Sequence, residues 1–584
     1  MLRQSAVCSM LLALLACGQA PQPAANKREP ADGRAKLLAD AYLIAWLDRN
    51  PDQATYYGVP GRHHDRLPDN SIGALTAWQK QEDAFLRDIK QIDPADIADE
   101  PLRATYAITR EALEAAIGVR ACRGELWTVS QFVNAWQVSF GYLVTIQPVG
   151  TDEARGEALT RWGELPKYID TEIANLREGL KAGYSAPKGN VRIVIDQMNT
   201  LSSGPLADSP FDSPAVRDKT PEFRKRFDAL VRQQINPALR RYRDFLVNEY
   251  LPAAREEVGV NANPNGAACY DASVRYHSSL PVGAKEVHDT GLKQIDAITG
   301  EMKAIAERSF QTSDVPGLLQ RLRTDKQYLF KSREELIAYS QAALARAKAA
   351  MPAWFGLLPK ADVVIQPYPK FREKNGPNEY NPPAEDGSRP AVFFISAYDA
   401  ENKSRAEAES TAFHETIPGH HLQGAIAVER KTIHPIGRYI GNSGYTEGWA
   451  LYTERLADEM KLYSSDLDRM GLLSNQALRA ARLVVDSGLH ALGWTRQEAI
   501  DYMLAHTAES SGEVTAEVDR YIIYPGQATA YMLGQLQIRK ARDEAQKAMG
   551  GRFQIKAFHD RVLEDGAVPL TYLTNKIRVW EQSK

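Results

Sequence analysis

From about residue 34 to 255, and again over 283 to 350, apolar residues recur at helical spacing almost without a break, as in Ala35 to Asp48 and Pro221 to Tyr250. Ala, Leu, Arg, Glu and Gln fill these stretches, and such residues lose little rotamer freedom in a helix. Pro and Gly gather between them, as at Gly204-Pro205 and Pro264-Asn265-Gly266. Two short runs break the pattern. Ala361 to Pro367 and Ala391 to Ser396 are β-branched or aromatic, are bounded by turn residues, and read as strands. From about Ser404 the chain is helical again. The expected fold is mainly α, two large helical blocks around a small β-sheet, with no internal repeat of roughly 20–50 residues.

A chain of 584 residues that is 44% hydrophobic can bury a sizeable core and has room for two lobes around one cleft. Its 71 basic and 74 acidic side chains leave a net charge of -3. Nucleic acid binding calls for a basic surplus or stripe, and none is present. The short cluster Arg224-Lys225-Arg226 lies between Phe223 and Phe227 and reads as a solvated helix face.

The first 17 residues carry one positive charge, Arg3, then an apolar run, then a small residue and a cysteine. This is the pattern of a secretory signal. Leu14-Leu15-Ala16-Cys17 resembles the bacterial lipobox, in which the cysteine is lipidated, and Gly18 after it resembles an outer-membrane address. Residues 18–33, rich in Pro, Ala and Gln, read as a flexible tether to a body spanning 34–584. The expected location is the periplasmic side of a bacterial envelope, with membrane contact through the Cys17 lipid alone. Cys8 belongs to the signal, which leaves Cys122 and Cys269 in the body. In an oxidising compartment they are expected to pair; two separate buried thiols are the alternative.

The segment Phe413-His414-Glu415-Thr416-Ile417-Pro418-Gly419-His420-His421 carries the chemistry. The plain zinc-peptidase pattern, H-E-x-x-H on a helix, sets two imidazoles one turn apart with a general base between them. Here Pro418 stands where the second histidine would be. On a straight helix, His420 lies about 240° round from His414, and His421 lies about 10 Å further along the axis. Neither could share a cation with His414. Pro418 removes a hydrogen bond and clashes with the carbonyl of His414, and Gly419 tolerates unusual dihedrals, so a local bulge is expected. With two residues looped out, His420 rather than His421 becomes the second ligand.

HETIPGHHLQ resembles the H-E-x-x-P-G-H-x-x-Q signature of a bacterial family catalogued as a domain of unknown function, number 885. Cys122 to Trp127, Asp386 to Pro390, Glu447 to Tyr452 and Tyr524 to Ala528 also resemble motifs of that family, so the likeness spans most of the body. It implies a helical, zincin-like metallopeptidase of gluzincin type, with the sheet beside the active-site cleft. Glu447-Gly448-Trp449-Ala450-Leu451-Tyr452 is similar to the N-E-G-F-A-x-Y-x-E helix of zinc aminopeptidases, which implies Glu447 as third ligand. Glu454, seven residues on, is placed to orient a ligand histidine.

The expected cofactor is zinc, which leaves an open position for water and lowers its pKa towards ~7. Glu415 would be the general base. Tyr524, Tyr531 and His490 are candidates to donate to the oxyanion, His490 with its tautomer fixed by Asp486; core packing is the alternative for each tyrosine, and a structural helix pair for Asp486 and His490. The strand Ala391–Ser396 is expected beside an extended peptide substrate, and Arg389 before it could grip a substrate carboxylate, as in a carboxypeptidase or dipeptidase. An oligopeptidase, an amidohydrolase acting on other amides or cell-wall stem peptides, and an inactive peptide-binding lipoprotein are the rival readings.

Overall fold

The computed structural model describes residues 30–203, 205, 209–368, 373, 378–383 and 390–582. The signal, Cys17 and most of the tether lie outside the described residues, as does Arg389. The first helix, Ala31–Arg49, begins three residues before the expected start of the body at residue 34.

Helices dominate, as expected, and their ends follow local chemistry. Ser71 accepts a hydrogen bond from the Ala74 amide and Asp99 one from Leu102, each capping the helix that follows. Thr495 and Glu498 form a reciprocal capping box. The stretch from Pro221 to Tyr250 is helical throughout, with π turns at Val231–Ile235 and Leu246–Tyr250.

Three helices form an N-terminal layer: Ala31–Arg49, Ile72–Ile89 and Glu100–Gly118. The helix Gly266–Ser278 packs on the last of them and on the turn Val119–Cys122. There Cys122 and Cys269 are disulfide-bonded, with Cα atoms 4.5 Å apart. The C-terminal half is built on Asp466–Ala491, buried along almost its whole length and paired with Ala284–Phe310. One continuous cluster of buried side chains runs from Ala35 to Ile577.

The sheet has three strands: β1 Val363–Pro367, β2 Glu379–Asn381 and β3 Ala391–Ile395. Their order is β1-β3-β2, with β3 parallel to β1 and antiparallel to β2. This corrects the expectation for Ala391–Ser396: β3 is the central strand, both its edges are taken, and it has no free ladder for a substrate. β2, a three-residue strand within a Pro- and Asn-rich loop, was not foreseen.

Candidate metal centre

The motif folds as two helices, Ala408–Glu415 and His420–Glu429, joined by a turn through Thr416 to Gly419. The break is more complete than the expected bulge. The Gly419 amide donates to the Phe413 carbonyl and that of His421 to Thr416. A Cβ on Gly419 would sit 1.9 Å from the His414 carbonyl oxygen, so no other residue fits this turn. Trp449, from the helix Ser443–Glu459, donates its indole N–H to the Pro418 carbonyl at 3.0 Å.

That fold brings the His414 and His420 rings to 4.8 Å between centroids, at right angles. Glu447 Oε2 lies 3.3 Å from His420 Nε2 and 3.7 Å from His414 Nε2. One ligand atom from each of the three residues falls within 4.8 Å of the other two. Ligands about 2.0–2.2 Å from a tetrahedral zinc stand about 3.3–3.6 Å apart, so the spacing suits that ion.

Electrostatics agree with a cation site. Burial opposes charge on His414, but Glu447 and Glu454 outweigh it and raise its pKa to about 9. Burial likewise opposes ionisation of Glu447, yet His420 and His414 hold it well below the usual carboxylate range. The carboxylates therefore demand positive charge, which protons supply when no metal does.

Glu454, fully buried, lies behind the centre with Oε1 2.8 Å from His414 Nδ1. Its other oxygen accepts from Ser410 and Gln476, and Gln476 accepts from Gln535. Sequence reasoning missed both glutamines, because their spacing reads as helix surface. Glu415 ends the first motif helix, half-buried, and its carboxylate has no hydrogen-bond partner among the described residues.

His421 faces the sheet: Nδ1 accepts from the Tyr380 hydroxyl at 3.1 Å and Nε2 donates to the Ala361 carbonyl at 3.1 Å. Tyr380, on β2, also stacks over His420. Glu447 is positioned by a close helix crossing. Ser443–Glu459 meets Ala530–Met549 at Gly444, Gly448 and Gly534, where a Cβ on Gly534 would fall 1.8 Å from the Gly444 carbonyl oxygen.

Of the three oxyanion candidates, Tyr531 lies one turn before Gly534, beside the Glu447 helix, with the Arg482 guanidinium 4.6 Å over its ring. Tyr524 is the terminal cap of the helix Ser511–Ile523 and faces a cavity next to the Glu447 helix. His490 is a correction. It is fully buried, Nδ1 accepts from the Val260 amide, and Nε2 donates to the Tyr521 carbonyl. Burial lowers its pKa to about 4, so it is neutral and structural. Asp486 does not orient it, since it accepts from the Gly526 amide at 3.0 Å.

A mainly α body around a half-buried His–His–Glu cluster, with the Glu415 carboxylate unpaired among the described residues, defines a helical protein with a candidate metal centre. The chain belongs to the family described as bacterial protein of unknown function (DUF885), whose model matches residues 51–577. A crystal structure of a candidate lipoprotein from Colwellia psychrerythraea is similar with a TM-score of 0.86 and 26% identity, covering 94% of this chain and 100% of that one. A candidate lipoprotein of unknown function from Shewanella oneidensis shares the fold, with a TM-score of 0.73, 17% identity, and 93% and 99% of the two chains covered. No curated protein matches the chain. Among the described residues no helix is long and apolar enough to cross a membrane.

Proposed function

We propose that this protein is a zinc-dependent peptidase of the bacterial envelope, hydrolysing small peptides or oligopeptides. The observation that carries this reading is the His414–His420–Glu447 cluster, whose 3.3 and 3.7 Å ligand separations suit a tetrahedral ion, with Glu415 next to it and unpartnered among the described residues. His414, His420 and Glu447 would hold the ion, and Glu454 fixes the His414 ring so that Nε2 faces it.

Bound there, zinc supplies a Lewis acid that lowers the pKa of water. Glu415 takes the proton of the attacking water and passes it to the leaving amine. The Tyr531 and Tyr524 hydroxyls are the donors for the negative charge that grows on the carbonyl oxygen. A ligand-only scaffold has no use for an unpartnered carboxylate at Glu415, which favours an enzyme over a binding protein. Arg389 is the candidate grip on a terminal carboxylate. The lipobox-like Leu14–Cys17 and the description of both structural neighbours as candidate lipoproteins support anchoring through Cys17, on the periplasmic side of the outer membrane.

Zinc-loaded protein incubated with a mixed peptide library, with cleavage sites read by mass spectrometry, tests the reading. Cleavage that Glu415→Gln abolishes while retaining zinc is the expected result. An intact library, or cleavage unchanged in Glu415→Gln, would overturn it.

A further inference from the structure

A cavity of about 900 Å³ is lined by the three N-terminal helices, Gly266–Ser278 and the start of the Glu447 helix. That size suits a site for several residues of a ligand. No residue of the metal centre lines it, but its Asn442–Ser443 end lies one helical turn from Glu447. Asn442 and Ser443 line it, and Glu447 follows Ser443 by one turn on nearly the same helix face, about 6 Å along the axis.

The walls are aromatic: Trp46, Trp78, Tyr57, Tyr276, Tyr439 and Tyr524 all face the space. Tyr57 and Tyr276 remain 40% and 46% exposed, although Tyr57 packs against Tyr439 and Tyr276 against His277. The charged groups of the lining are already paired. Glu82 meets Arg120 at 2.8 Å, Glu111 meets Arg275 at 3.0 Å, and Glu125 meets Arg123 at 2.6 Å. An ionic occupant would find no free counter-charge there.

The wall also carries an imidazole. His277 is only 6% exposed, and its ring is flanked edge-on by Tyr276 and Tyr524, each 5.0 Å away. No hydrogen-bond partner meets either ring nitrogen among the described residues. Its nitrogens are not sealed inside the protein but open onto the cavity, where water or a bound ligand can meet them. Burial, with Arg520 nearby, lowers its pKa to about 3 and keeps it neutral, with one donor and one acceptor. The Cys122–Cys269 disulfide ties its helix to the opposite wall, and Cys122 itself lines the space.

We propose that this cavity seats an uncharged, aromatic stretch of a peptide next to the bond to be cut, with His277 hydrogen-bonding to the peptide's main-chain amide. The inference rests on the peptidase reading of the metal centre. It adds a substrate class, and His277 as a residue that selects it.

Binding, not turnover, tests it. The tetrapeptides Ala-Phe-Phe-Ala, Ala-Ala-Ala-Ala and Ala-Glu-Glu-Ala are titrated calorimetrically into zinc-loaded Glu415→Gln protein. The aromatic peptide should bind at least about tenfold more tightly than the others. His277→Ala should lose about tenfold for that peptide, the worth of one buried hydrogen bond. Where His277→Ala does not fold, Trp78→Ala on the opposite wall should show the same loss with zinc content unchanged. Equal binding of the three peptides, or a preference that survives these substitutions, would overturn the proposal. Library cleavage without aromatic preference would sink this inference alone, whereas aromatic preference without cleavage would sink the peptidase reading alone.

Discussion

Glu454 Oε1 lies 2.8 Å from His414 Nδ1, while Glu447 Oε2 lies 3.7 Å from Nε2 of the same ring. One helix thus holds the imidazole from both ends. The inner carboxylate fixes the tautomer and makes Nε2 the better ligand. Glu454→Ala should weaken zinc affinity by roughly 10–100-fold, and Glu454→Gln by less, measured by competition with a chromophoric chelator. Unchanged affinity in both would remove Glu454 from the centre.

The close crossing at Gly534 places Glu447. Gly534→Ala would put a Cβ 2.8 Å from the Gly448 Cα as well as onto the Gly444 carbonyl. The helices must part, which costs on the order of 1–3 kcal/mol or more. Both the melting temperature and the zinc affinity should fall. A variant that keeps both would show that Glu447 does not depend on this contact.

His421 neighbours a candidate ligand but is spent on Tyr380 and Ala361. His421→Ala should therefore keep its zinc and lose roughly 1–3 kcal/mol of stability, read from the urea midpoint. Loss of zinc without loss of stability would assign the wrong histidine.

Three histidines away from the metal centre make stability sensitive to acid, as does His421 beside it, which burial lowers to about 4. Burial lowers His277 and His559 to about 3 and His490 to about 4. Each folded value lies below the unfolded value of about 6.5, so on acidification only the unfolded chain takes up the proton. The full stability is present above pH 6.5 and drains away as pH falls towards the folded values. At pH 5.5 each group costs about 1.4 kcal/mol, a large share in total of a typical 5–15 kcal/mol. Thermal melts at pH 7.5 and 5.5 should differ by several degrees in zinc-free protein, after part of the loss is offset by His414, whose pKa of about 9 makes its protonation stabilising over the same range. His490→Gln should narrow the gap; equal melts at the two pH values would refute the assignment of neutral histidines.

Much of this arrangement was readable from residue order. Helical spacing gave the architecture, and Pro418-Gly419 told His420 from His421, because proline cannot continue the helix past His414. The extent of the break was not readable. It depends on Trp449, which holds the Pro418 carbonyl from another helix. Asp486 and His490 are spaced as a helix pair, but that spacing does not show that a distant amide, Gly526, had claimed the aspartate. β2 escaped notice because three residues leave no periodicity to detect, and β3's central place follows only once β2 pairs with it. His277 gave no signal either, since a single histidine in a helix acquires meaning only from the cavity it faces.

Metal analysis of the purified protein decides the matter most directly. After loading and dialysis, elemental analysis should find about one zinc per chain, and His414→Ala, His420→Ala and Glu447→Ala should each bind almost none while folding normally. Wild-type protein that holds no zinc after loading, or any of these three variants binding as much as the wild type, would contradict the account.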